Sequence, residues 1–121
     1  LSDWNVLTAC FVSRPRLPPM LEAEFTAQVL EFARLHRWRT AHFRPARTAQ
    51  GWRTAVQGDG KGFVDLVLAR ERIIYAELKI GYGKLSPDQE AWRDWILAAG
   101  GEWYCWKPSM WPEIENILSS D

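Results

Sequence analysis

The sequence predicts an α/β domain in which a mixed central β-sheet is flanked by helices, in the order α, β, β, β, α, β, α. Three observations predict this class: an early segment with helical spacing of apolar residues, two aliphatic segments joined by a polar tip, and a capped helix followed by an aromatic strand. That last strand is expected to pair parallel to the strand before the helix, because β-α-β connections are right-handed crossovers. The 121 residues suit one domain, which we place at residues 20–121.

The N-terminal half is predicted to hold one helix and one strand. Residues 1–19 carry three prolines near their end and show no clean periodicity, so we expect a tail or arm there. Apolar residues recur at spacings of three and four between residues 21 and 37, which predicts an amphipathic helix. Residues 39–43 are predicted to form a short strand. Residues 44–60, rich in Gly, Thr, Gln and Arg, are predicted to form a long loop.

A second helix is predicted to start after Ser86. This serine precedes Pro87 and lies three residues before Gln89, which is the pattern of an N-cap, an N1 proline and a capping box. A pair of glycines is expected to end the helix, and residues 102–106 are predicted to form the next strand. Ser109 is predicted to cap a last short helix.

Composition narrows the class of protein. Contents of 47% hydrophobic and 25% charged residues are those of an ordinary globular protein. No apolar run approaches the roughly 20 residues that cross a bilayer, so we expect no membrane partner and a cytoplasmic location. A net charge of zero argues against a protein that coats nucleic acid by charge alone. Cys10 and Cys105 form no CxxC pair, so both are expected to be reduced thiols.

The charge is unevenly distributed along the chain. Residues 1–61 hold nine Lys or Arg against five Asp or Glu, a balance of +4, whereas residues 62–121 hold six against ten, a balance of −4. We therefore expect a basic surface from the N-terminal half to face an acidic pocket in the C-terminal half.

A β-hairpin is predicted from residues 62–69 and 73–80, and its register has chemical consequences. If the hairpin turns about Glu71, Asp65 lies directly opposite Glu77 on one face, about 4.5 to 5.5 Å apart between Cβ atoms. Lys79 projects from the same face, because side chains alternate along a strand. The other face carries only apolar residues, which are expected to be buried: Leu66, Leu68, Ile74, Ala76 and Leu78.

Two carboxylates and an amine on one face suit the hydrolysis of phosphodiesters. Two negative charges at this short distance destabilise a sheet unless a cation neutralises them. Carboxylate oxygens are hard ligands of the kind that Mg2+ prefers. A bound Mg2+ would polarise the phosphoryl oxygen and acidify a water, while Lys79 would position that water or stabilise the developing charge. The spacing alone leaves a second interpretation open, in which the charges are scattered over a solvent-facing side of the hairpin.

The segment KGFVDLVLARERIIYAELKIGYGKLSPDQEAWRDWILAAGGEWYCWKPSMW, residues 61–111, resembles the VRR-NUC family of PD-(D/E)xK nucleases, particularly its small stand-alone phage members. Weaker similarity extends back through residues 21–38. The resemblance implies a restriction-endonuclease-like core and a Mg2+-dependent DNA endonuclease, with Mn2+ able to substitute. It also implies a preference for branched or Holliday-junction-like DNA and a homodimer.

The resemblance also implies roles for individual residues. Asp65 and Glu77 would bind the metal, Lys79 would be the catalytic lysine, and Gln89 matches a glutamine near that centre. Gln89 is equally well explained as the capping-box residue of Ser86 alone, and the two roles are compatible with each other. The metal ligands would be completed by the backbone carbonyl of Leu78 and by an acid on the first helix, for which Glu22 fits better than Glu24. Val64 departs from the family pattern, which has a proline before the aspartate, so we expect altered backbone stiffness there.

Basic residues are concentrated between residues 34 and 53, among aromatic side chains and without an acid. We expect this surface to face DNA, because arginine forks match phosphate groups. The candidate DNA-binding residues are Arg39, Arg44, Arg47, Arg53, Lys61 and Lys84. Three alternatives stay open: an ordinary solvated loop, a DNA-binding module of the same fold without cleavage activity, and an interaction domain that uses its tryptophans without binding nucleic acid.

Overall fold

The computed structural model describes residues 20–43, 46–48, 51–53 and 56–121, and for residues 46–48 and 51–53 it describes the backbone. The predicted tail, residues 1–19, and Cys10 within it lie outside the described residues. In chain order, the described elements are α1 (Glu22–Leu35), β1 (Arg39–His42), β2 (Ala46–Thr48), β3 (Gly51–Arg53), β4 (Leu66–Ala69), β5 (Ile73–Leu78), α2 (Pro87–Ala98), β6 (Glu102–Trp106), a 3-10 helix (Pro108–Met110) and α3 (Trp111–Ser119).

Four strands form a mixed sheet in the order β1-β4-β5-β6. β1 pairs antiparallel with β4, β4 pairs antiparallel with β5, and β6 pairs parallel to β5. The predicted fold class, an α/β domain with a mixed sheet flanked by helices, is therefore confirmed. The parallel pairing expected from the crossover through α2 is confirmed with it.

The predicted long loop at residues 44–60 is wrong in part. β2 and β3 form a separate two-stranded antiparallel sheet in this stretch. Each of these strands is three residues long and has no apolar alternation, so the sequence carries no periodic signal for them. The predicted element order therefore lacks two strands.

Several predicted boundaries are too long. α1 ends at Leu35, because Arg37 adopts a φ of 68° in the left-handed region and cannot continue the helix. β4 starts at Leu66 instead of residue 62, because Gly62 has a φ of 83° and turns the chain just before the strand. β5 ends at Leu78, ahead of a turn in which Gly81 has a φ of 58°.

Helices cover both faces of the sheet. α1 and α3 pack on the apolar face predicted from the sequence, whose members are all at most 2% exposed: Leu66, Leu68, Ile74, Ala76 and Leu78. α1 contributes Phe25 and Val29 to this core, and α3 contributes Ile114 and Leu118. α2 lies on the opposite face, where Trp92 contacts Phe63 edge to face at 4.8 Å between ring centroids.

The two predicted helix caps have different outcomes. Ser86 caps α2 as predicted: its Oγ accepts a hydrogen bond from the Gln89 backbone N at 3.2 Å, and Gln89 Oε1 accepts one from the Ser86 N at 2.9 Å. The prediction that Ser109 caps the last helix is wrong. Pro108 starts a 3-10 turn that contains Ser109, and α3 begins only at Trp111.

The tip of the β4–β5 hairpin lies against the end of α3. Arg70 stacks over Trp38 with its guanidinium carbon 4.5 Å from the ring centroid, and Arg72 lies 5.1 Å from the same ring. Arg70 donates hydrogen bonds to the carbonyls of Leu118 and Ser120, which lie in the last turn of α3 and just after it. The cationic tip thereby satisfies carbonyls that a helix C-terminus leaves unpaired.

Candidate functional site

The hairpin register brings Asp65 and Glu77 opposite each other, as predicted. The recorded pairs are Leu66↔Ala76, Val67↔Tyr75, Leu68↔Ile74 and Ala69↔Ile73. Asp65 stands one residue before β4, so continuing this register sets it across from Glu77 at the end of β5. Its Oδ2 accepts a hydrogen bond from the Leu78 backbone N at 2.8 Å, which holds the carboxylate toward β5. We call Asp65 and Glu77 the acid pair.

Glu77 is 1% exposed, which is exceptional for a carboxylate. Its Oε1 accepts a hydrogen bond from Gln89 Nε2 at 3.3 Å. Its Oε2 is buried and has no hydrogen-bond partner among the described residues. A buried carboxylate oxygen without a partner is costly, so this atom points to a proton or a cation that the described side chains do not supply.

The surroundings of the acid pair change the pKa of Glu77. Burial and the neighbouring carboxylate of Asp65 together raise the pKa of Glu77 to about 9, while the charge of Lys79 acts to lower it. Without a cation, Glu77 therefore keeps its proton at neutral pH. A divalent cation held by Asp65 and Glu77 would take the place of that proton, so the residues present fit a hard metal ion.

Lys79 lies on the face of the acid pair, two residues beyond Glu77, and is half-buried. Its backbone N donates to the Trp106 carbonyl at 2.9 Å, so the chain stays aligned with β6 past the formal end of β5. The stem of Lys79 passes 3.4 Å, measured at Cδ, from the position that a Cβ on Gly83 would take. The glycine turn after β5 thus packs against the predicted catalytic lysine.

Gln89 makes both of the contacts that the sequence suggested, one in the capping box and one to the acid pair. Its side-chain oxygen accepts from the Ser86 N, which is the capping box, and its side-chain nitrogen donates to Glu77. An amide carries its acceptor and its donors on separate atoms, so one side chain can serve both contacts. The start of α2 is thereby joined directly to the acid pair.

A close approach of two backbones fixes α2 beside the segment that leads to Asp65. A Cβ added at Gly62 would lie 2.6 Å from the backbone carbon of Asp88, in the first turn of α2. Trp92 Nε1 also donates to the Asp59 carbonyl at 2.9 Å. The position of Asp65 relative to Gln89 therefore depends on the absence of a side chain at Gly62, a role that sequence reasoning did not identify.

The acid predicted on the first helix is not brought to the acid pair. Glu22 is exposed at the start of α1, which covers the opposite face of the sheet. Glu24 Oε1 accepts from the Leu21 N at 2.9 Å and serves the helix start. In the part of the chain that the structure describes, no group of three or more His, Cys, Asp or Glu side chains is arranged to hold a metal ion. Leu78 gives its N–H to Asp65, and the role of its carbonyl stays a prediction.

The predicted DNA-binding residues are spread over the molecule. Lys84 is exposed between β5 and α2, and Lys61 lies 3.6 Å from Asp88 at the start of α2. Arg39 is exposed but pairs with Ala69, at the end of β4 away from Asp65. Arg44 lies outside the described residues, and the side chains of Arg47 and Arg53 do as well.

Cys105 in β6 and Lys107 just after it also lie on this face of the sheet. Cys105 is the register partner of Glu77 in the parallel pair. Burial raises the pKa of its thiol, the charge of Glu77 adds to that effect, and the charges of Lys79 and Lys107 act to lower it. The expected parallel pairing of β6 with β5 was the sequence signal that could have found these residues, but the sequence does not fix its register.

An apolar groove of about 550 Å³ lies at the other end of α2. Its walls include Phe63, Tyr75, Trp92 and Ile96.

The described helices include none with the length and apolar character that a membrane crossing requires. No family model, curated protein or solved structure matches this chain.

Proposed function

We propose that this chain is a Mg2+-dependent endodeoxyribonuclease that hydrolyses phosphodiester bonds at the acid pair and Lys79. The observation that carries the proposal is the buried Oε2 of Glu77, which lacks a described partner and stands beside a second carboxylate. A purely structural carboxylate would be expected to satisfy both of its oxygens. In a divalent metal site, such an oxygen next to a second acid has the metal ion as its partner.

Each residue of the site has a defined task in this proposal. Asp65 and Glu77 would hold the ion, which when bound would polarise a phosphoryl oxygen and lower the pKa of a water. The Leu78 N–H orients Asp65, and the Gln89 amide orients Glu77. Lys79 would place its ammonium group against the negative charge that develops on the phosphoryl group during attack.

The substrate and the assembly belong to the same proposal. DNA as the partner, a preference for branched DNA and a homodimer rest on the resemblance to VRR-NUC nucleases of the PD-(D/E)xK type. Lys61 and Lys84 are the predicted phosphate contacts that support it from the chain itself, because both are exposed near the start of α2. Mn2+ is expected to substitute for Mg2+, because both prefer oxygen ligands.

One observation favours a second candidate, a DNA-binding module of the same fold that does not cleave. The acid pair has no third acid beside it among the described residues, whereas the resemblance implies a glutamate on the first helix. Cleavage then depends on whether substrate phosphates and water supply the remaining ligands, as they commonly do for Mg2+.

The test uses labelled four-way junction, flap, single-stranded and linear duplex DNA, each with Mg2+ or with EDTA. The wild-type chain is compared with Asp65→Ala and Lys79→Ala, and with Asp94→Asn as a control that removes an exposed carboxylate of α2. We expect Mg2+-dependent cutting of at least one substrate by the wild type and the control, and none by the two site variants, which should still bind DNA. Binding without cutting by the wild type would support the second candidate.

A further inference from the structure

Lys107 extends β6 onto the face of the acid pair. Its neighbour Trp106 is fully buried on the core face. Lys107 keeps an extended backbone, with φ −124° and ψ 157°, so its side chain projects from the side of the sheet opposite to Trp106. Cys105 and its partner Glu77 lie on that same side. Lys107 is half-buried there.

The register sets Lys107 next to Lys79. Leu78 pairs with Trp106, and the hydrogen bond from the Lys79 N to the Trp106 carbonyl continues the parallel ladder by one residue. Neighbouring strands are about 4.8 Å apart, so two ammonium-bearing side chains leave adjacent backbone positions on the same face. Both charges also act on the thiol of Cys105, which lies on β6 two residues before Lys107. We call Lys79 and Lys107 the lysine pair.

Within the described residues, neither member of the lysine pair has a carboxylate within ion-pair distance. The ion pairs within 4 Å that the structure describes join other side chains. Like charges on adjacent strands destabilise a sheet unless something neutralises them. An anion that lies between the two ammonium groups would remove the repulsion between them.

We propose that Lys107 is a phosphate-binding residue which, with Lys79, holds a phosphate group of the substrate beside the acid pair. The inference rests on the proposed nuclease function and adds a substrate contact to it. Lys79 directly follows the strand of Glu77, two residues beyond it, whereas Lys107 follows the neighbouring strand β6, two residues beyond the register partner of Glu77. Lys107 therefore binds the substrate without touching the reacting atoms.

The test separates substrate binding from chemistry. Affinity for DNA is measured with Ca2+ in place of Mg2+ over a series of salt concentrations, for the wild type, Lys107→Gln, Lys107→Arg and the control Arg93→Gln, which also removes one positive charge. We expect Lys107→Gln to weaken binding about five- to tenfold and to lower the slope of log affinity against log salt by about 0.9. In cleavage assays it should raise KM more than it lowers kcat, and Lys107→Arg should restore both. An effect equal to that of Arg93→Gln overturns the proposal.

Two further measurements keep the outcome clear. Thermal unfolding reports whether each variant is folded. If Lys107→Gln does not fold, it is replaced by Lys107→Met, which keeps the aliphatic stem of the side chain. If the wild type neither binds nor cuts any DNA, the proposed nuclease function fails, and the lysine pair is tested with inorganic pyrophosphate alone. Pyrophosphate should then raise the Tm of the wild type and not that of Lys107→Gln. The absence of a shift in the wild type overturns the phosphate site as well.

Discussion

Glu77 shows how one residue can lower stability and yet be suited to a function. Its carboxyl is fully buried, its pKa is raised to about 9, and its ordinary value is 4.5. Between these two pH values the folded chain holds a proton that the unfolded chain has released. Stability is therefore fully present below about pH 4.5 and is lost as the pH rises toward 9, for as long as no cation replaces the proton.

Glu77→Gln should stabilise the protein in EDTA at pH 8 while abolishing cleavage. The amide cannot ionise, and it keeps the size and shape of the protonated carboxyl. We expect a gain of about 1–3 kcal/mol at pH 8, shrinking toward pH 5, because the variant does not have to take up a proton when it folds. Urea unfolding between pH 5 and 9 measures it. A loss of stability that is equal at every pH would show that the ionised carboxylate is paired in the folded state.

Divalent cations should reverse the pH dependence of the wild type. A metal ion competes with the proton on Glu77, so the rise in Tm caused by Mn2+ or Mg2+ should be larger at pH 8 than at pH 6. At a metal concentration of 100 times Kd, binding stabilises by about 2.7 kcal/mol. Thermal unfolding with a metal titration checks this without any assay of activity. Glu77→Gln should respond much less, and an equal response would place the metal elsewhere on the chain.

At the scale of elements, the site depends on how closely α2 approaches the segment before β4. Gly62 adopts a φ of 83° and lies against the backbone of Asp88, so an added methyl group is both strained and sterically excluded. The contact sets the distance between Asp65, which follows this glycine, and Gln89, which follows Asp88. A shift of α2 would therefore loosen the hydrogen bond from Gln89 to Glu77.

Gly62→Ala should reduce both stability and activity. Gly58→Ala is its matched control, because Gly58 has a φ of 63° and a Cβ there meets nothing within 4 Å. We expect the control to cost about 1 kcal/mol from backbone strain, and Gly62→Ala to cost more because strain and overlap add. Chemical denaturation gives the two costs, and kcat measured well below the Tm tests the effect on the site. Equal costs would mean that α2 moves aside freely.

Elements with a strong periodic signal were predictable, and the rest depend on tertiary contacts. The tip at residues 70–72 was enough to fix the β4–β5 register, and that register alone set Asp65 opposite Glu77. Ser86 and Gln89 located the start of α2 through local chemistry. β2 and β3 are too short to show a pattern. The isolation of Glu77 Oε2 could not be predicted, because it follows from how α2 and the neighbouring strands close over the carboxyl.

At the scale of the whole molecule, the sheet separates two clusters of charge. The acid pair and the lysine pair lie at one end of β5, whereas Arg70 and Arg72 lie at the other end, beyond the start of β5. Arg70 joins three parts of the fold there, through Trp38, the His36 carbonyl and the carbonyls that end α3. The far cluster therefore serves stability, and in the proposed function the near cluster serves chemistry.

Arg70→Ala should lower the Tm and leave kcat unchanged at temperatures where the variant is folded. The substitution removes hydrogen bonds to the end of α3 and exposes the ring of Trp38, so α3 should fray from the core. Arg93→Ala is the control, because Arg93 pairs with its neighbour Asp94 at 2.9 Å on the surface of α2. Circular dichroism gives the Tm values, and cleavage at low temperature gives the rates. If Arg70→Ala lost activity while still folded, the two ends of the sheet would be coupled, and the separation of stability from chemistry would have to be abandoned.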